Sequence, residues 1–153
     1  MDFMDALTAL ASKCRNQGKN LQTEEATKNA LIMPFIHLLG YDVFNPQEVV
    51  PEFTADIGEK KGERVDYAIM RDNQPIILFE CKPYGSPLEC TQCTQLQRYF
   101  HGTSARVAIL TDGNRYRFFS DLESPNLMDN KPYMDFVLEG MDEALVPEIR
   151  KLC

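Results

Sequence analysis

Residues 65–82, VDYAIMRDNQPIILFECK, carry three side chains of the kinds that handle phosphate chemistry: Asp66, Glu80 and Lys82. Strand side chains alternate faces, so Glu80 and Lys82 point one way and Cys81 the other. If the stretch folds as two strands around a tight turn, Asp66 reaches the face of Glu80. Two carboxylates and a lysine then converge. That set suits a hard divalent cation held by oxygen ligands beside a phosphate, with a water activated for attack. In such chemistry Asp66, Glu80 and the backbone carbonyl of Cys81 hold Mg²⁺. Lys82 orients the attacking water or neutralises charge developing on the phosphate. On spacing alone, a surface ion pair between Lys82 and either carboxylate fits equally well.

The elements around these residues follow from pattern. Residues 64–70 alternate, with Val65, Tyr67 and Ile69 on one side and Asp66, Ala68 and Met70 on the other. Residues 71–75 read as the turn, and Ile76 to Phe79 is apolar throughout, as a strand covered on both faces requires. A charged Glu80 and Lys82 closing a buried strand need partners or a metal.

Upstream, Phe3, Leu7, Leu10 and Cys14 predict an amphipathic helix over residues 1–17, with Gly18 as its stop. Thr23 is a good N-cap for a second helix running to Gly40, with Glu24 and Glu25 in its first turn and a kink at Pro34. On composition Glu25 is simply a helix-start carboxylate. Residues 41–45 and 49–53 read as short extended segments. Residues 54–63 form a polar loop whose Lys60 and Lys61 can touch phosphates. Residues 88–101 read as a helix that aligns Gln95 and Tyr99, four apart, on one face. Strands follow at 106–111 and 115–120 around Asp112-Gly113-Asn114, then a further strand at 133–138 and a helix over 141–152. This order predicts an α/β or α+β sandwich with a mixed sheet.

The bulk properties narrow the function. The 153 residues fit one domain, with a net charge of −7 and a pI near 4.8. That acidity weighs against holding nucleic acid alone through a broad basic surface. It is compatible with a nuclease whose metal offsets its own carboxylates. No apolar run reaches membrane-span length and the N-terminus lacks a basic leader, so the expected setting is cytoplasmic, without membrane contact. The five cysteines read there as free thiols. Cys90-x-x-Cys93, with Cys81 and His101 as extra ligands, is half of a zinc or iron–sulfur site, but no second half is visible. Two cysteines three apart also serve as small apolar residues on one helix face. His37 has no ligand partner nearby. Neither a glycine-rich phosphate loop nor a Gly-x-Ser-x-Gly element is present.

Taken in order, these motifs resemble the N-terminal nuclease domain of type I restriction enzyme R subunits, a branch of the PD-(D/E)xK nuclease superfamily. The resemblance spans residues 23–120: Glu25 in EEATKNALIMPFIHLLGYD, Asp66 in ERVDYAIM with Val65 where the family has proline, Glu80 and Lys82 in LFECKPYG, Gln95 and Tyr99 in QLQRY, and the strand pair VAILTDGNRYRFFSD. It implies an α/β, restriction-endonuclease-like core with a mixed central β-sheet flanked by helices. It implies Mg²⁺-dependent endonucleolytic cleavage of DNA, with Mn²⁺ as a substitute. Glu25 then supports the metal or its water, and Gln95 and Tyr99 organise substrate or Lys82. The implied partners are DNA and the translocase, modification and specificity subunits. No ATP site lies on this chain, which the resemblance presents as a piece of a longer protein or a stand-alone relative. The alternative is a non-catalytic DNA- or protein-binding module that keeps the fold.

Overall fold

The computed structural model describes residues 2–55, 64–89 and 94–153. Six strands form one sheet in chain order: β1 Val49–Phe53, β2 Val65–Arg71, β3 Gln74–Cys81, β4 Val107–Thr111, β5 Arg115–Phe119 and β6 Met134–Val137. Neighbours are antiparallel except β3 and β4. A parallel pair cannot be joined by a hairpin and needs a crossover. Here the crossover carries a helix. The helices are α1 Phe3–Gln17, α2 Glu24–Thr27, α3 Met33–Leu38, α4 Thr94–Gly102 in that crossover, and α5 Val146–Arg150.

The helices cover both faces of the sheet. Ile77, Phe79 and Cys81 of β3 join Leu31, Phe35, Ile36, Tyr116 and Phe118 in a core under α1 and α3. Leu78 points the other way, into a core with Ala108, Leu110, Leu96, Tyr99 and Phe100 under α4. The mixed sheet flanked by helices that the pattern predicts is what the chain forms. The unbroken apolar run of β3 has this cause: both of its faces are dry.

Several boundaries differ from the sequence expectation. The β2–β3 turn is only Asp72-Asn73, both at positive φ (53° and 62°), so Pro75 lies within β3. Two left-handed residues make the turn that matches strand twist, and Asp and Asn tolerate that conformation. Residues 41–45 are not extended; Asp42 Oδ1 accepts from the Phe44 N–H at 3.0 Å and Asn45 Oδ1 from Gln47 N–H at 3.0 Å, two side-chain turns that outcompete a strand. α4 is described over Thr94–Gly102; Leu88 and Glu89, expected to open it, are not helical, and residues 90–93 fall outside the described set. The final helix is α5 alone, preceded by a 3₁₀ turn at Glu143–Leu145, because Pro147 is accepted only in a helix's first turn.

The predicted kink at Pro34 takes the form of a π-helical stretch, Lys28–Ile32, between α2 and α3. Proline has no N–H to give to the carbonyl four residues back, and its ring crowds that carbonyl. A widened turn just before Pro34 absorbs both problems.

Candidate active site

β2 and β3 separate at one end. β2 stays paired with β1 down to Val65, and β3 stays paired with β4 up to Cys81. The ladder between β2 and β3, however, ends at Tyr67 opposite Phe79. The next two residues across the gap are Asp66 and Glu80. Opening the ladder strips Cys81 N–H of a strand acceptor, and Asp66 Oδ2 takes that role at 2.7 Å. An extended strand sends a residue's N–H and C=O to the same edge, so the Cys81 carbonyl faces this gap as well. Beyond the split, Lys82 N–H continues to β4 through Thr111 O at 2.8 Å. The loop after it is held by Thr27 Oγ1, accepting from Tyr84 N–H at 3.1 Å, and Asp112 Oδ2, accepting from Gly85 N–H at 3.0 Å.

The structure adds a residue that pattern reading passes over. Lys28, the first residue of the π-helical stretch, has a side chain only 7% exposed. Its Nζ lies 2.7 Å from Asp66 Oδ1 and 3.1 Å from Glu25 Oε1, and 5.9 Å from the centre of the Tyr67 ring. Both oxygens of Asp66 are therefore engaged, one by an ammonium and one by a backbone amide. Lys28 gave no sequence signal, because a lysine in the second turn of a helix reads as solvated.

Electrostatics separate the two carboxyls. Burial of Glu80, then its hydrogen bond and charge repulsion with Asp66, push its pKa up to about 9, against the pull of Lys82. Burial would raise Asp66 too. Hydrogen bonds from Glu80, Lys28 and the Cys81 amide outweigh that, and its pKa falls below the ordinary value. Of the two, Glu80 is thus the carboxyl that holds a proton more readily and Asp66 the one that ionises more readily. Two carboxyls forced together cannot both ionise without a cation between them.

The other predicted residues fall at graded distances from this pair. Lys82 is half-buried and its charge acts on Glu80. The Glu25 side chain is 73% exposed and meets Asp66 only through Lys28. Its neighbour Glu24 is the first-turn acid that feels Asp66, Lys28 and Lys82 directly; burial and then Asp66 raise its pKa. Tyr99 is buried on the α4 side, packs edge-on against Phe53, and its hydroxyl accepts from Ala55 N–H at 3.4 Å. Phe53 pairs with Val65, one residue from Asp66, so Tyr99 lies behind the mouth of the gap. Gln95 is half-buried, one helical turn before Tyr99 on α4. An open pocket outside the gap is lined by Glu25, Lys28, Pro51, Glu52, Asp66 and Tyr67.

Cys90 and Cys93 lie outside the described residues, as do Lys60 and Lys61. Cys81 is buried in the core under α1 and α3, and His101 Nε2 accepts from Met128 N–H at 3.0 Å. His37 is exposed at the end of α3.

The family model for the type I restriction enzyme R protein N terminus matches residues 23–131. The chain belongs to that family. No curated protein and no solved structure matches it at a significant level. The family match covers every element that builds the strand split, from the N-cap Thr23 through β5. It places this R-protein N-terminal domain in a restriction setting, with DNA and other subunits as the family's associates. No helix among the described residues is long and apolar enough to cross a membrane.

The residues in the split fit a divalent cation. Asp66 and Glu80 are the next residues across the gap where the β2–β3 ladder ends, and a cation is one way to relieve two abutting carboxylates. Among the described residues no group of three acidic, His or Cys side chains converges on one point. Two carboxylates and a carbonyl, with water and substrate oxygens completing the shell, are what Mg²⁺ commonly takes.

Proposed function

We propose that this domain is a divalent-metal-dependent DNA endonuclease built on a restriction-endonuclease-like core of the PD-(D/E)xK kind. The observation that carries the reading is the strand split, which leaves Asp66 facing Glu80 at the open end of two buried strands, with Lys82 next on the same face. DNA as substrate rests on the family match.

In this reading Asp66, Glu80 and the Cys81 carbonyl hold Mg²⁺, with Mn²⁺ as a substitute and Glu24 or Glu25 steadying its water. When bound, the cation supplies positive charge to the scissile phosphate and acidifies a water. Lys82, beside Glu80, orients the attacking water and offsets the negative charge that grows on the phosphate. Glu80 must surrender its proton for the site to load, so the proton between the carboxyls and the cation compete. Gln95 and Tyr99 face substrate or brace Lys82 from the α4 side. The domain works with the subunits of a restriction enzyme.

The test is cleavage of supercoiled DNA with Mg²⁺ or Mn²⁺, with the partner subunits supplied. Asp66→Asn, Glu80→Gln and Lys82→Met are expected to lose activity by roughly 10²-fold or more, the scale of losing one preorganised electrostatic group, while retaining native circular dichroism. Cleavage by these variants at wild-type rates would sink the reading. Absence of cleavage by the wild type under the same conditions, with DNA binding indifferent to all three changes, would favour the non-catalytic binding module.

A further inference from the structure

We propose that Lys28 is a positioning residue of this site: its ammonium fixes one oxygen of Asp66 and sets a low ceiling on how tightly the pair of carboxylates can hold a divalent cation. The inference rests on the metal-site reading above and adds a residue to it.

Three observations carry it. First, Lys28 is buried and yet its ammonium lies 2.7 Å from Asp66 Oδ1. A lysine so placed forgoes water, and long flexible lysines are rarely buried unless paired. Second, the arrangement is built from several sides. Glu25 Oε1 holds the same ammonium from outside at 3.1 Å, and the Tyr67 ring lies 5.9 Å away. The lysine opens the π-helical stretch, a kind of distortion frequent at functional sites. Third, Asp66 is held at both oxygens, by Lys28 on one and by Cys81 N–H on the other. A carboxylate bonded twice has its plane set before any cation arrives, which is what a preorganised ligand needs.

The second part of the role follows from charge. A fixed positive charge in contact with a ligand oxygen repels a divalent ion at that oxygen. Even in a water-like dielectric the repulsion at about 4 Å is large enough to matter tenfold or more in affinity. Lys28 touches Asp66 from the helix side and is too buried to meet DNA, so it acts through Asp66.

Two variants separate charge from hydrogen bonding. Lys28→Gln keeps a donor for Asp66 and removes the charge; Lys28→Met removes both. Calorimetric titration of the chelator-stripped protein with Mn²⁺ is expected to show both variants binding about tenfold more tightly or better. In Mn²⁺-dependent DNA cleavage, Lys28→Met is expected to lose turnover by about tenfold with KM for DNA unchanged, since Asp66 is no longer aimed. Lys28→Arg is expected to restore the weaker wild-type affinity. A merely structural lysine would lower the melting temperature and leave Mn²⁺ affinity alone. The inference is overturned if Mn²⁺ affinity in either variant is unchanged or weaker, or if Lys28→Met keeps wild-type turnover. Asp66→Asn, titrated alongside, keeps the two readings apart. If it binds Mn²⁺ like the wild type, the metal site itself is misassigned. If it binds none while the Lys28 variants behave as wild type, only the role of Lys28 fails.

Discussion

Glu80 should make the metal-free protein sensitive to alkali. Its folded-state pKa is raised to about 9, first by burial and then by Asp66. A carboxyl whose pKa rises on folding is bound to a proton that the unfolded chain has released. Its contribution to stability is complete below the ordinary carboxylate pKa and drains away as pH climbs toward 9. Asp66 runs the other way: its pKa is lowered, so its contribution holds above the ordinary value and is lost on strong acidification. With chelator present, the thermal midpoint should therefore fall between pH 5 and pH 8.5, and Glu80→Gln, which keeps a neutral donor for Asp66, should flatten that fall. A wild-type slope that survives in Glu80→Gln would show that Glu80 is not the group responsible. The adjacent acids Glu24 and Glu25 allow a second prediction. Glu25 reaches Asp66 only through Lys28, so Glu25→Gln should change Mn²⁺ affinity in the wild type and not in the Lys28→Met background. Glu24→Gln should change it in both, because Glu24 feels Asp66 and Lys82 directly. Isothermal titration of the six proteins (the wild type, Lys28→Met, and each glutamate change in both backgrounds) is the measurement, and additive effects of the Glu25 and Lys28 changes would place Glu25 on the metal itself.

At the scale of elements, the hairpin turn between β4 and β5 is pressed onto the helix that presents Lys28. Gly113 has φ +91°, and a Cβ there would lie 3.0 Å from Leu31 Cβ and Cδ1 and from Thr27 Cγ2. Leu31 belongs to the π-helical stretch, and Thr27 tethers the loop after Lys82. Gly113→Ala should cost about 1–3 kcal/mol in chemical denaturation, from the left-handed backbone and the crowding together. It should also lower cleavage, because the turn cannot retreat without moving Lys28 or the loop; a stability loss below about 0.5 kcal/mol would show that the turn yields freely. The same elements show what pattern can reach. Alternation placed Asp66 and Glu80 on strands correctly, since burial of one or both sheet faces writes itself into residue order. The turn residues Asp72 and Asn73 announced the hairpin, though Pro75 drew the expected turn too wide. The π-helical stretch left no mark beyond Pro34, because a widened turn keeps nearly the same apolar spacing. Lys28 stayed hidden for a related reason: its burial comes from strands distant in sequence, and nothing local distinguishes it from a solvated lysine. Which of two neighbouring acids faces Asp66 depends on a rotation about the helix that sequence spacing does not resolve.

The charge of the whole molecule limits how this domain can hold DNA. A net charge of −7 leaves little long-range attraction for phosphate. The paired ammonium of Lys28 is buried, and Arg64 near the gap is bound to Glu52 at 3.6 Å, so neither adds much to the field that DNA meets. Among the described residues, Lys82 remains as the half-buried cation in the split. Binding carried by so few charges releases few counterions. Each neutralised phosphate contributes roughly −0.9 to the slope of log affinity against log salt, and proteins with broad basic surfaces reach slopes near −6 to −10. The isolated domain should bind duplex DNA weakly, with a slope of only about −2 to −3, and Lys82→Ala should bring that slope about one unit closer to zero. Fluorescence anisotropy of a labelled duplex at several salt concentrations measures both. Lys60 and Lys61 offer further positive charge near β2 in the sequence, so replacing both with alanine should shift the slope again by one to two units if those lysines touch phosphate. A steep wild-type slope that none of these substitutions moves would mean that DNA lies on another face of the molecule, away from the strand split.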